Sequence, residues 1–286
     1  MKRAAMTVAL LAIAGWSGAN YGWTQSSKSA GQATTSASGQ VNAAAAPAGK
    51  RPPQAKTQPE FDAYKSAAAI SDPTQQEKAA ADFAAKYPDS ELRPVLYKAA
   101  MHAYQGANNA DKMLEMAQKV LTYDGDDPEA LLGVSQVVAE RTRETDLDRD
   151  QRLDEAKKDA EKALSTIDTD LPTSGYPPDQ LKAYKDFLRS EAYAILGTIY
   201  FSKKDWTDAE TNLRKSIDAY PQQPDSVAVF RLSVSLDMQN KYPEAMKFAN
   251  QAVDLTKEGT AVGDAARKEK ERLTQLTGGA APASAK

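Results

Sequence analysis

The chain has 286 residues, enough for one or two ordinary domains or one modest helical solenoid. Its net charge is −3, but six bases and no acids precede Glu60, so the remainder carries −9 and is a poor nucleic-acid binder. Cysteine is absent, which excludes disulfides and thiolate chemistry, and a single histidine leaves little for zinc binding or general-base catalysis.

Residues 1–19 are predicted to be an export signal. Lys2 and Arg3 form a basic start, the stretch from Ala4 to Trp16 is apolar, and small residues lead to a cleavage point expected after Ala19. The apolar stretch is shorter than the ~20 residues of a membrane-spanning helix, although an uncleaved inner-membrane anchor reaching Trp23 stays open. We therefore expect a protein that is periplasmic or secreted after signal-peptide cleavage.

A disordered linker is predicted for residues 20–57, which are rich in Ala, Ser, Gly and Pro and bury too little apolar surface to offset the entropy of ordering. Its basic residues Lys50, Arg51 and Lys56 have two interpretations, contact with an anionic wall polymer or membrane, or a solvated spacer, and the spacer is favoured. Residues 278–286 are predicted to be a disordered tail. The folded part is expected to span 58–277.

The folded part begins with helix-turn-helix units. Two helical stretches between Glu60 and Pro88 are joined by a turn at Asp72, and the second unit repeats apolar residues at i, i+3, i+4 and i+7 from Tyr97. A third unit follows, but its two helices are separated by an insertion, Arg141 to Leu153. No alternating strand pattern occurs anywhere.

A long connection, Thr166 to Pro178, precedes the fourth unit. Its first helix is predicted from Pro178 to Lys203, longer than the others. A fifth unit follows, and then an amphipathic, charge-rich helix between Gly259 and Thr277 of the kind that closes a solenoid. The total is about eleven helices, arranged as five pairs and one cap.

The fourth unit, Ser190 to Gln223, has the best-formed pattern. A stripe of Tyr, Leu, Gly and Tyr is followed by a small residue on the next helix and a proline after it, and this spacing resembles a tetratricopeptide repeat. The resemblance covers roughly Glu60 to Leu276, and it implies an exported bacterial tetratricopeptide protein with an all-α solenoid fold. The residues of the structural repeat motif are Tyr193, Leu196, Gly197, Tyr200, Ala209 and Pro221.

The resemblance also implies a concave groove lined by the first helix of each pair, where a partner peptide or protein binds. A lone lysine without the accompanying asparagines argues against capture of a partner's terminal carboxylate. The C-terminal half of the groove is more apolar, and an apolar or helical peptide is expected there. The candidate partner-binding residues are Lys98, His102, Gln105, Gln136, Thr198, Phe201, Phe230 and Val234.

The insertion contains one pattern related to a metal site. Asp146, Asp148 and Asp150 alternate as at the start of a calcium loop, but Gln151 stands where the loop needs glycine and Lys157 where it needs glutamate. A solvated charged loop is therefore the favoured interpretation. No metal or cofactor is predicted.

Enzyme activity is not expected, because no catalytic motif for serine, metal-dependent or phosphate chemistry occurs. The leading hypothesis is a non-enzymatic scaffold or adaptor of the bacterial cell envelope that binds a protein or peptide and no nucleic acid. Two alternatives stay open. One is a self-associating structural component, and the other is a solenoid that binds a glycan or small molecule through His102 and the loop at Tyr176.

Overall fold

Eleven α-helices form most of the computed structural model, which describes residues 50–171 and 177–278. These two ranges contain no strand, and the expected five helix pairs and capping helix are confirmed. The predicted export signal, linker residues 20–49, Tyr176 and the tail from 279 lie outside the described residues. The helices are α1 Gln58–Ala68, α2 Pro73–Lys86, α3 Arg93–Gly106, α4 Ala110–Tyr123, α5 Pro128–Arg141, α6 Arg149–Thr166, α7 Pro178–Ser202, α8 Trp206–Ala219, α9 Ser226–Asp237, α10 Tyr242–Asp254 and α11 Ala261–Leu276.

The helices are arranged in two layers. Each helix packs against its neighbour along the chain, and from α3 to α10 packing is more extensive within a pair than between pairs. Helix α5 also contacts α7, and α7 contacts α9, whereas successive even-numbered helices have at most marginal contacts. The odd-numbered helices therefore form the inner layer, in which α5, α7 and α9 pack directly on one another and α3 is joined to α5 by ion pairs to Glu129. No helix among the described residues is both long and apolar enough to cross a membrane.

The same turn closes the first helix of three pairs. Asn108, Lys204 and Asn240 have φ values of 53°, 60° and 58°, in the left-handed region. In each case the N–H of the following residue donates to the carbonyl five positions earlier, at 2.9 to 3.0 Å. This is the Schellman closure of a helix C-terminus. Its recurrence in the second, fourth and fifth pairs gives these pairs a common geometry.

The crossing of α7 and α8 depends on a glycine. A Cβ atom added to Gly197 would lie 2.6 Å from both Cγ and Cδ2 of Leu213 and 3.3 Å from its backbone nitrogen. Leu213 is completely buried. The two helices therefore approach more closely here than any other residue at position 197 would allow.

The other residues of the repeat motif surround this crossing. Leu196 and Ala209 are buried, Tyr193 and Tyr200 are half-buried, and Pro221 lies on the surface two residues after the end of α8. Buried side chains continue through the array in three successive clusters, which share helices α5 and α7. A core spread in this way is typical of repeat proteins, in which each unit packs on its neighbours.

The segment before α1 lies along the turns between helix pairs. The N–H of Lys50 donates to the carbonyl of Thr169 at 2.8 Å, and its ammonium lies 2.6 Å from the carboxylate of Asp124. The Arg51 guanidinium donates two hydrogen bonds to Glu91, at 2.8 and 2.6 Å. We call residues 50–56 the basic strap. This end of the predicted linker is in contact with the helical array.

Candidate functional site

The eight candidate groove residues all belong to the inner layer. Three of them are on α3, one on α5, two on α7 and two on α9, and each is at least partly exposed except Thr198. We call the exposed side of this layer the inner face. The binding role of these residues stays a prediction.

At the N-terminal half of the inner face, charged side chains neutralise one another. The Lys98 ammonium lies 2.6 Å from Asp127 and 3.0 Å from Glu129, and Nε2 of His102 lies 2.9 Å from Glu129. The Glu129 side chain is only 5% exposed, and the Tyr184 hydroxyl also hydrogen-bonds it. These partners hold one another in place on α3, α5 and α7.

The protonation of this cluster follows from its pairing. Burial alone would lower the pKa of Lys98, but the carboxylates of Asp127 and Glu129 outweigh it and raise the pKa above its ordinary value. Burial would likewise raise the pKa of Glu129, yet Lys98 and His102 hold it below its ordinary range. Lys98 is therefore an internally compensated cation, and it is a poor receptor for a partner's carboxylate.

Arg231 is a different kind of cation. Its guanidinium donates to Oγ1 of Thr198 at 2.6 Å and lies 6.0 Å from the ring centre of Phe201. Burial lowers its pKa, against the opposing effect of the carboxylates of Asp225 and Glu140. Among the described residues no carboxylate lies within ion-pair distance of Arg231. Most of its donors are therefore available on the inner face.

Glu191 lies on α7, seven residues before Thr198, and has no cationic partner among the described residues. Among the described residues it has no hydrogen-bond or ion-pair partner, and the charged groups that influence it are Asp225 and Glu129, which are also acidic. Burial, with these two carboxylates, raises the pKa of Glu191 to about 8. The inner face thus contains one cation and one acid that the fold leaves without a partner of opposite charge.

Apolar side chains lie beyond these two charges. Phe230 and Val234 are half-buried on α9, and Phe201 on α7 packs edge-on against Trp206 with ring centres 5.4 Å apart. Asp237 at the end of α9 is instead buried and pairs with Arg272 of the capping helix. The apolar strip therefore ends where α11 covers the array.

Sequence reasoning missed the acidic residues and the arginine of this face. Glu191 and Tyr184 continue the stripe of Thr198 toward the N-terminus of α7 in steps of seven, so the heptad spacing was a usable signal. Asp225 was hidden because an aspartate before a helix is interpreted first as an N-cap, and it does cap α9. For Arg231 the sequence carried no signal, since its partners Thr198 and Phe201 belong to another helix.

The insertion forms an open concavity. Its loop proper is 142–148, because α5 continues to Arg141 and α6 begins at Arg149. Arg141 pairs with Asp111, and the Arg152 guanidinium lies 3.6 Å from Asp146. Within the described ranges no group of three His, Asp or Glu side chains is placed to hold a metal ion. The concavity is lined by Asp111, Glu140, Arg141, Arg143, Asp146 and Arg152.

Comparisons with solved structures find other helical chains. One, from work on the functional characterization of Pseudomonas aeruginosa pilF, is 14% identical, with 78% of this chain and 96% of that chain covered and a TM-score of 0.49. Another, the assembly chaperone of RpL4 (Acl4), is 13% identical, with 77% and 99% covered and a TM-score of 0.40. No family model and no curated protein matches the sequence. At these sequence identities and TM-scores, no binding property of those proteins is assigned to this chain.

Proposed function

We propose that this chain is a non-enzymatic scaffold of the bacterial cell envelope that binds a partner protein through a peptide segment held on its inner face. The observation that carries the proposal is the half-buried apolar strip of Phe201, Phe230 and Val234 beside a cation, Arg231, and an acid, Glu191, neither of which has an oppositely charged partner among the described residues. Partial burial of a charged or ionisable side chain without an oppositely charged partner lowers the stability of the free protein. A partner that covers the apolar strip and supplies the opposite charges would offset this cost on binding.

The envelope assignment rests on the N-terminal sequence alone. A basic start, a short apolar stretch and small residues are the pattern of an export signal. Fractionation of the producing bacterium, with the chain detected in the periplasmic, membrane and cytoplasmic fractions, tests this assignment independently of binding. Recovery in the cytoplasm alone would contradict it.

Site-specific photocrosslinking in the producing cell tests the binding face. A photoreactive phenylalanine analogue at Val234 should give adducts with a partner protein. The matched control is the same analogue at Thr211, which is exposed on α8 of the outer layer. Adducts from both positions alike, or from neither, would refute the inner face as the binding surface. Adducts made only of two copies of this chain would show self-association instead.

A further inference from the structure

The proposed function does not specify the chemistry of the partner. The side chains of Glu191, Thr198 and Phe201 on one face of α7 indicate which partner side chains would fit. Glu191 and Thr198 are seven positions apart and therefore lie on one face of the helix. At a rise of 1.5 Å per residue their separation along the axis is about 10 Å. Phe201 lies on the same face about 4.5 Å further along. The stripe thus presents an acid, a hydroxyl and an aromatic ring in a fixed order.

Arg231 converts the middle of this stripe into a cationic position. Because its guanidinium is hydrogen-bonded to Thr198, its charge lies beside that residue rather than beside Glu191. No ion pair joins Arg231 to Glu191 among the described residues. The planar guanidinium uses one of its five N–H donors in the hydrogen bond to Thr198, which leaves a fork suited to a carboxylate. The inner face therefore carries an acid, which a basic side chain of a partner would ionise, and a cation about 10 Å away from it.

The spacing selects the conformation of the occupant. In an extended strand a distance of about 10 Å corresponds to three residues, whose side chains point to opposite sides. In an α-helix the same distance corresponds to seven residues, whose side chains share one side. A helical segment can therefore reach both charges and the apolar strip with a single face, whereas a strand cannot.

We infer that the inner face binds a helical segment of its partner, with a Lys or Arg side chain on Glu191, an Asp or Glu side chain on Arg231 seven residues away, and an apolar side chain one turn beyond the acid, against Phe201 and Phe230. This inference rests on the proposed function and specifies its partner. The charges of the occupant complement those of the inner face, and its apolar residue covers the strip.

A selection experiment with charge-reversed variants tests the inference. Phage-displayed helices of roughly 20 residues, long enough to be helical in water, are randomised along one face and selected on the full chain. The wild-type protein should enrich a base and an acid seven residues apart, with an apolar residue after the acid. Glu191→Lys should exchange the base for an acid, and Arg231→Glu should exchange the acid for a base. A wild-type peptide should bind about tenfold more weakly to either variant, and the matching reversed peptide should restore the affinity.

Controls separate the possible failures. Lys182→Glu on α7, where the lysine is exposed and pairs with Asp186, should select the same peptides as the wild type. If a reversed variant lacks native circular dichroism, Glu191→Gln or Arg231→Gln replaces it and should lose the charge preference. Apolar peptides selected equally by the wild type and all variants would overturn the inference and leave the proposed function standing. No enrichment on the wild type would overturn both.

Discussion

Replacement of Gly197 by alanine tests the close helix crossing at the centre of the best-formed repeat. In the interior of an exposed helix, alanine is about 1 kcal/mol more favourable than glycine. At position 197, however, the new Cβ would lie 2.6 Å from Cγ and Cδ2 of Leu213. Leu213 is fully buried, and Cγ is the branch point of its side chain rather than a flexible end. Forcing such an atom into a packed interior costs about 1–3 kcal/mol.

We therefore expect Gly197→Ala to lower the free energy of unfolding by about 1 kcal/mol, and Gly197→Leu to lower it by about 3 kcal/mol. The matched control is Gly133→Ala in the interior of α5. There the nearest atoms to an added Cβ are Sδ of Met101 at 3.6 Å and Cβ of Ala117 at 3.7 Å, which are ordinary contacts. The control should gain up to about 1 kcal/mol from helix propensity.

Urea unfolding followed by circular dichroism measures this difference directly. The two alanine variants should differ by about 2 kcal/mol with unchanged m-values, since neither substitution alters the surface exposed on unfolding. If Gly197→Ala is as stable as Gly133→Ala, the close approach of α7 and α8 is wrong. A normal stability for Gly197→Leu would refute the pairing of these two helices altogether.

Three further variants test the turn, the strap and the half-buried acid Glu191. Lys204→Gly should raise the free energy of unfolding by about 0.5–1 kcal/mol, because glycine adopts the left-handed φ of 60° at this position freely. Urea unfolding should show this gain, whereas Lys203→Gly, at a right-handed position next to it, should destabilise the protein. The double variant Lys50→Ala/Arg51→Ala removes the ion pairs of the strap, so residues 50–56 should lose protection from hydrogen exchange measured by mass spectrometry. High salt, which screens these ion pairs, should have the same effect on the wild type. Retained protection would contradict the strap contacts. Burial raises the pKa of Glu191 from its ordinary value of 4.5 to about 8, so the wild type loses stability as pH rises through this range, by up to about 1.4 kcal/mol per pH unit. Because glutamine does not ionise, Glu191→Gln should gain on the order of 4 kcal/mol relative to wild type between pH 5 and 8. A pH-independent difference in thermal or urea unfolding would contradict this.

The fold was largely predictable because its determinants are local. Helix N-caps such as Asp72 and Asn109 accept hydrogen bonds from backbone N–H groups three residues later. Because both partners lie within a few residues of each other, the local sequence is enough to predict such caps. The long helix predicted from Pro178 to Lys203 is confirmed as α7, Pro178–Ser202. Repeat spacing then placed the candidate residues on the inner layer, because each pair packs on the next in the same way.

Contacts between distant segments were beyond this reasoning. The composition of residues 20–57 predicts a linker, but it does not indicate that Lys50 forms an ion pair with Asp124 or Arg51 with Glu91. The three turns that receive the strap are separated by tens of residues, and only the stacking of pairs brings their acids into one line. Lys98 illustrates the same limit, because its two carboxylates belong to the next helix pair.

The distribution of charge along the inner layer explains why recognition should concentrate at its C-terminal half. Lys98 and Glu129 satisfy each other, so a ligand charge placed there would have to displace an existing ion pair and would gain little. Arg231 of α9 is hydrogen-bonded to Thr198, about two turns along α7 from Glu191, and burial disfavours the charged form of both side chains. A ligand that supplies a base for Glu191 and an acid for Arg231 finds both side chains already in position, which is the physical basis of preorganised binding. We therefore expect the residues that the repeat motif leaves free to determine specificity.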